Sequence, residues 1–250
     1  MSEIRANITG AILAGGLGTR LRSVVSDRPK VLAQVRGQPF LAYLLDQIGQ
    51  AGIRRVVLLT GYKGEQIEKT FGSRYGNMQL EYSAETEPLG TAGALRLALP
   101  KLFPTAVSTG EQSAGTVLML NGDSFCAADL TGFRAFHAKS HGGASLMLTS
   151  VPDTSRFGKV EVSAEELVER FVEKQEAGGA GWINAGIYLI PRDLVEQIPT
   201  GRAVSIEREM FPAWSQSGKL RGYRGQSEFL DIGTPESYRA AEEFFSRRAA

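Results

Sequence analysis

Gly15-Gly16-Leu17-Gly18-Thr19-Arg20 places three glycines and a guanidinium directly after the apolar run ITGAILA at 8–14. Glycines that follow a buried strand let backbone amides approach a phosphate, and Arg20 adds a planar cationic fork. Pro29-Lys30 brings a second cation in an extended segment, so Arg20 and Lys30 can reach the same polyphosphate. The loop fits neither common template: a dinucleotide fingerprint counted from Gly16 needs glycine where Leu21 stands, and a Walker loop needs Gly-Lys where the chain has Arg20-Leu21. A tight turn with a solvated arginine is the competing reading of these residues alone.

Two carboxylates have similar settings. Asp123 follows the apolar run 117–120 through Asn121-Gly122, and Asp231 follows Phe229-Leu230 just ahead of a helix start. Open α/β sheets build their sites at the carboxyl ends of strands. Taken singly, Asp123 also suits a turn and Asp231 a helix start. His137 and His141 have i, i+4 spacing, but no third ligand stands nearby, so a surface helix is expected for them. Cys126 is expected to be a small packing residue, and Trp182 and Trp214 to lie in the core or at its edge.

These residues need elements to hold them. Leu41, Leu44, Leu45 and Ile48 fall at helical spacing over 40–50, and RVVLLT at 55–60 is a second buried strand, which completes a βαβ unit with a right-handed crossover. Alternation continues with helix 64–71, strand 79–83, helix 91–99, strand 117–120 and helix 129–140. Strands near 144–151, 159–162 and 182–190 follow, separated by turns and expected to carry a substrate pocket. Thr234 as N-cap and Pro235 as first helical residue open a last helix to about 247. The small, polar segment 104–115 is expected to be a surface loop. The pattern predicts an α/β fold, a Rossmann-like αβα sandwich around a mostly parallel sheet.

The 250 residues are 42% hydrophobic and 22% charged, an ordinary globular composition with length enough for a large core. A formal charge of +1 argues against a protein driven onto nucleic acid by bulk attraction, and no apolar run has the length of a membrane span. One cysteine excludes an intrachain disulfide. The N-terminus lacks the apolar stretch of a signal peptide, so a cytoplasmic location is expected.

Leu13 to Leu21 (LAGGLGTRL) followed by Pro29-Lys30 resembles the signature of the sugar-1-phosphate nucleotidyltransferases. Later elements match in order: 85–93 (ETEPLGTAG), Asn121-Gly122-Asp123, Phe157-Gly158, Glu173-Lys174, Asn184-Ala185-Gly186 and 231–235 (DIGTP). Leu21-Arg22-Ser23-Val24-Val25, Gln38-Pro39-Phe40-Leu41 and Phe229-Leu230-Asp231 are most similar to the branch acting on D-glycero-α-D-manno-heptose 1-phosphate with GTP. The chain departs from the usual pattern at Val31, Gln34 and Gln175, where many members have proline, and this touches loop shape more than charge.

The resemblance implies one nucleotidyltransferase domain, with residues to about 150 mainly on the nucleotide, 151–233 mainly on the sugar phosphate, and a C-terminal helix over 234–250. It implies nucleotide contacts from Leu13, Ala14, Gly15, Gly16, Gly18, Thr19, Arg20, Lys30, Glu85, Pro88, Gly90, Thr91 and Asn121. Arg20, Lys30 and Asp123 would be catalytic, Asp123 and Asp231 would hold magnesium, and Gly158, Glu173, Lys174 and Asn184 would hold the sugar phosphate. The expected partners are a nucleoside triphosphate, GTP favoured through a bidentate grip of Glu85 on guanine, and a sugar 1-phosphate, with room for a homo-oligomer. Hexose 1-phosphates with other nucleotides, or a non-catalytic nucleotide-sugar sensor, are the alternatives. No general base is required, because a sugar phosphate has a second pKa of about 6 and is already largely ionised at neutral pH.

Overall fold

The computed structural model describes residues 8–16, 18–21, 23–104, 115–172 and 178–249. Strand β1 (Ile8–Leu13) leads into the glycine loop, and a short hairpin of β2 (Gln34–Val35) and β3 (Gln38–Pro39) delivers the chain to helix α1 (Phe40–Gln50). Next come β4 (Arg55–Thr60), α2 (Gly64–Phe71), β5 (Arg74–Tyr75) and β6 (Met78–Ala84). Helices α3 (Gly90–Leu97) and α4 (Leu99–Leu102) precede β7 (Thr116–Asn121) and β8 (Ser124–Cys126). Then follow α5 (Leu130–His137), β9 (Ala144–Val151), β10 (Lys159–Val162), β11 (Val168–Val172) and β12 (Gly181–Pro191). The chain closes with α6 (Arg192–Glu196), a π-helical turn (Ile206–Met210), α7 (Phe211–Gln216), β13 (Leu220–Gly225), β14 (Phe229–Asp231) and α8 (Pro235–Ala249).

Eight strands form one sheet in the order β13-β9-β12-β7-β1-β4-β6-β5. β1 runs parallel to β4 and β7, β4 parallel to β6, and β9 parallel to β13; β12 is antiparallel to both neighbours and β5 to β6. Side chains alternate across the sheet. Ile12, Val56, Leu58, Leu118 and Leu120 join one apolar layer with Phe40, Leu44, Leu45 and Ile48 of α1. Ala11, Val57, Leu59, Val117 and Met119 join the other with Leu95 of α3 and Phe211 and Trp214 of α7. Each such large apolar side chain stabilises the fold by about 1.5–3 kcal/mol on burial. Two helical layers therefore enclose a mostly parallel sheet, as the alternation predicts.

Side chains cap two helices, and the second of these caps is the one the sequence predicts. The Asp129 carboxylate accepts from the Thr131 and Gly132 amides at the start of α5, and Thr234 Oγ1 accepts from the Ser237 amide at 3.3 Å at the start of α8. The expectation for the histidines is corrected. α5 stops at His137, and His141 sits in the turn beyond it with φ 50°, so the pair shares no helix face. His137 is half-buried and not fully exposed: its ring meets Ser145 Oγ at 2.8 Å, and burial lowers its pKa to about 4. Segment 105–114, most of the expected surface loop, lies outside the described residues.

Candidate active site

A cleft of about 1170 Å³ opens over the carboxyl ends of β1, β4 and β7, where a parallel sheet leaves its loops and helix starts free for ligands. Leu13, Ala14, Gly15, Gly16, Gly18, Arg20, Lys30, Glu85, Pro88, Gly90, Thr91 and Asn121 all line it. Asp123, Asp231, Gly158 and Asn184 do as well. Residues about 220 positions apart in sequence thus meet in one hollow. The Thr19 side chain, Glu173 and Lys174 lie outside what the structure describes, although β11 carries the chain to Val172 on the cleft wall.

Glycine is needed where chain segments touch. A Cβ on Gly122 would stand 2.1 Å from the Leu13 carbonyl oxygen, so the backbone of β1 presses on the turn that presents Asp123. A Cβ on Gly90, whose φ is 72°, would stand 2.6 Å from the Val204 carbonyl oxygen. That contact is part of a seam: Ala92 N and Gly93 N donate to Val204 O, Val204 N donates to Leu89 O, and Ile206 N donates to Thr91 Oγ1 at 2.8 Å.

Charges are grouped at the centre. Lys30 Nζ donates to Asp123 Oδ2 at 2.9 Å, with only 11% of the lysine side chain exposed. Asp231 ends β14, where it pairs with Ser124 of β8, and Ile232 N donates to the Asp123 carbonyl, so the two aspartates stand on neighbouring segments. Asp231 Oδ1 accepts from Gly233 N at 2.9 Å, and Oδ2 pairs with Arg156 Nη2 at 3.2 Å. A Cβ on Gly233 would lie 3.7 Å from Lys30 Nζ, 3.8 Å from Arg20 Nη2 and 2.7 Å from Asp231 Oδ1, so three of the expected charged residues converge there.

Towards β6 the Glu85 carboxylate packs on backbone: Oε1 would be 2.8 Å from a Cβ on Gly61 and 3.1 Å from one on Gly15. Its Oε2 accepts from Leu89 N at 3.0 Å and closes the 85–89 turn. Oε2 thus already caps a turn, while the carboxylate keeps further acceptor positions facing the cleft. At the opposite end, β12 pairs Asn184 with Leu148 and Tyr188 with Leu146, so an irregularity holds extra β12 residues and turns Asn184 to the cleft. Asn184 Oδ1 accepts from Gly186 N, and its Nδ2 donates to the Tyr188 hydroxyl at 2.9 Å and to Glu207 Oε1 at 3.2 Å. Burial, then the charge of Glu207, raises the Tyr188 hydroxyl well above its ordinary value, so it stays neutral.

Cys126 is buried, and desolvation pushes its thiol up to about 12, which fits packing and not nucleophilic attack. Trp214 is buried and Trp182 packs beside the same apolar layer. Arg156, Glu207 and Arg208 also line the cleft without having been singled out from sequence. For Arg156 the adjacent Phe157-Gly158 was a usable pointer; Glu207 gave none.

A model of the nucleotidyl transferase family matches residues 9–248. The chain belongs to this family. Mannose-1-phosphate guanylyltransferase of Mycobacterium tuberculosis is 38% identical to this nucleotidyl transferase over 92% of the chain, which spans 62% of that relative's length. D-glycero-α-D-manno-heptose 1-phosphate guanylyltransferase of Aneurinibacillus thermoaerophilus is 36% identical over 93% of the chain and 96% of the relative. Among solved structures, HddC from Yersinia pseudotuberculosis superposes with a TM-score of 0.81 at 30% identity, over 95% of this chain and 99% of that one. The HddC complex with GMP-PN gives 0.80. In this nucleotidyl transferase no helix among the described residues is long and apolar enough to cross a membrane.

Proposed function

We propose that the protein transfers a guanylyl group from GTP to a sugar 1-phosphate of manno configuration, D-glycero-α-D-manno-heptose 1-phosphate favoured, and releases pyrophosphate. The convergence of Arg20, Lys30, Asp123 and Asp231 in one cleft carries this reading, and two relatives that name guanylyl transfer support it. An ionised sugar phosphate oxygen bonds to the α-phosphorus of GTP as the bond to the bridging oxygen breaks, and that oxygen leaves with pyrophosphate. Arg20 and Lys30 hold the charge that grows on the leaving group, and the glycine loop at 15–18 aligns the phosphates for attack. The turn 85–91 bounds the base, with Glu85 Oε1 as an acceptor for a guanine donor.

Asp123 and Asp231 fit a magnesium ion by their chemistry. Both offer hard oxygens, and each already balances a cation. Magnesium takes such sites through one or two carboxylates, with phosphate and water completing its shell. When bound, it supplies charge neutralisation between the two polyanions. In this reading residues to about 150 serve mainly the nucleotide and 151–233 mainly the sugar phosphate, with Gly158, Asn184, Glu173 and Lys174 on the latter, in a cytoplasmic enzyme.

Mannose 1-phosphate is the second reading, supported by the Mycobacterium relative at 38% identity. A matrix of five nucleoside triphosphates against heptose, mannose and glucose 1-phosphates, scored by pyrophosphate, tests both. GTP with a manno-configured sugar is expected to be fastest. Faster turnover of dTTP or UTP overturns the base assignment, and no release with any pair overturns the transferase reading.

A further inference from the structure

The geometry points to Glu207 as a specificity-determining residue that accepts a hydrogen bond from a sugar hydroxyl remote from the phosphate. This rests on the sugar 1-phosphate reading above and adds a residue to it.

Glu207 is exposed on the cleft wall, while its neighbours Ile206 and Met210 are buried. Its backbone is held from several sides. Ile206 N donates to Thr91 Oγ1, Ser205 Oγ accepts from Arg208 N, and Ser205 N donates to Glu209 Oε1 at 2.9 Å. Arg202 pairs with Glu209 at 2.7 Å. Single π-helical turns of this kind recur at functional sites because the extra residue re-aims one side chain. Here the turn brings the Glu207 carboxylate to Asn184, whose amide is oriented by Gly186 N and the Tyr188 hydroxyl.

Charge and position narrow what this carboxylate can recognise. An anion repels phosphate, so Glu207 must face a neutral, donor-bearing part of a ligand. The base turn at 85–91 follows β6, whereas Asn184 lies on β12, beyond β4, β1 and β7. Four strand spacings of about 4.8 Å separate β6 from β12; the Glu207 backbone adjoins Thr91 at the far end of that turn, but its carboxylate lies against Asn184, and this contact sets it at the sugar end of the cleft. A carboxylate accepts about four hydrogen bonds, so it can hold the Asn184 amide together with other protein partners and still accept from a ligand hydroxyl. An amide donor and a carboxylate acceptor fixed side by side make a pair that a vicinal diol can satisfy, and a pocket built this way rejects an analogue lacking one hydroxyl.

The test uses GTP with heptose or mannose 1-phosphate, whichever the wild type turns over faster, and the monodeoxy analogues of that sugar. Glu207→Ala is expected to lower kcat/KM about ten- to a hundredfold, mainly through the sugar KM, with the GTP KM within about twofold. For one deoxy analogue the variant and the wild type should perform alike, because the missing hydroxyl and the missing carboxylate belong to one bond. Glu207→Gln, which keeps one acceptor and the side-chain volume, should fall between, and both variants should unfold within about 2 °C of the wild type if the loss is one of recognition. An unchanged sugar KM with every analogue discriminated as before overturns the proposal, as does an effect confined to GTP. A wild type that releases no pyrophosphate with any pair overturns the functional reading first, before any variant is compared.

Discussion

Lys30 and Asp123 stand 2.9 Å apart and little of the lysine is exposed, so neither can be changed without altering the other's charge balance. Lys30→Ala is expected to lower kcat about 100- to 1000-fold while the sugar KM stays within about threefold, since its charge is needed most as pyrophosphate departs. The Lys30→Ala, Asp123→Asn double variant should lose much less than the product of the single losses, because both act on one pair. Steady-state kinetics with pyrophosphate detection decides this. A rise in the sugar KM alone would assign Lys30 to the sugar. That the two residues belong to the cleft was legible from Pro29-Lys30 and from Asn121-Gly122-Asp123 at a strand end; that they pair was not, since they are 93 positions apart. Glu207 was illegible for a similar reason. Its partner Asn184 is set by a β12 irregularity, and its backbone by hydrogen bonds to the 89–91 turn, and neither leaves a periodic trace.

At the scale of elements, periodicity was a reliable guide where one face meets a layer. Helix α1 and strand β4 begin and end where the apolar spacing placed them, because their buried residues recur without interruption. Short pieces escaped: β8, β11, the π-helical turn and α7 are set by tertiary pairing and not by a pattern of their own. The turn between β7 and β8 carries a sharp constraint. Gly122→Ala puts a methyl 2.1 Å from the Leu13 carbonyl, against backbone that cannot swing aside, and is expected to destabilise the protein by about 3 kcal/mol or more in urea unfolding. A change below 0.5 kcal/mol would show that β1 and this turn move apart easily.

Helix α5 supplies a pH test. His137 titrates near 4 in the folded chain because burial disfavours its cation, against about 6.5 when unfolded. The unfolded state therefore binds the extra proton first as pH falls. This group costs nothing above pH 6.5, lowers stability progressively from there to about pH 4, and below that costs up to about 3 kcal/mol. His137→Gln should flatten the stability profile across that window in denaturant titrations. An unchanged slope would place the ring in water.

Over the whole molecule, the seam between 89–93 and 204–206 ties the side of the cleft proposed for the base to the wall that carries Glu207. Ordering one side by a nucleotide should therefore order the other. In hydrogen exchange, a non-hydrolysable GTP analogue with magnesium is expected to slow the amides of Ala92, Gly93, Val204 and Ile206 together, without sugar present. Slowing of 92–93 alone would mean that the seam transmits nothing.

The eight-stranded sheet also has two rims. One ends in β5, only two residues long, and the other in β13, where Gly222 N donates to Glu166 O, Leu167 bridges Arg221, and Arg221 pairs with the Glu166 carboxylate at 2.7 Å. A second molecule seeking to extend the sheet meets a strand too short to template it at one rim and a tethered turn at the other. Growth of fibres by strand addition at these two rims is thereby obstructed, and a homo-oligomer would have to join its copies elsewhere than along them.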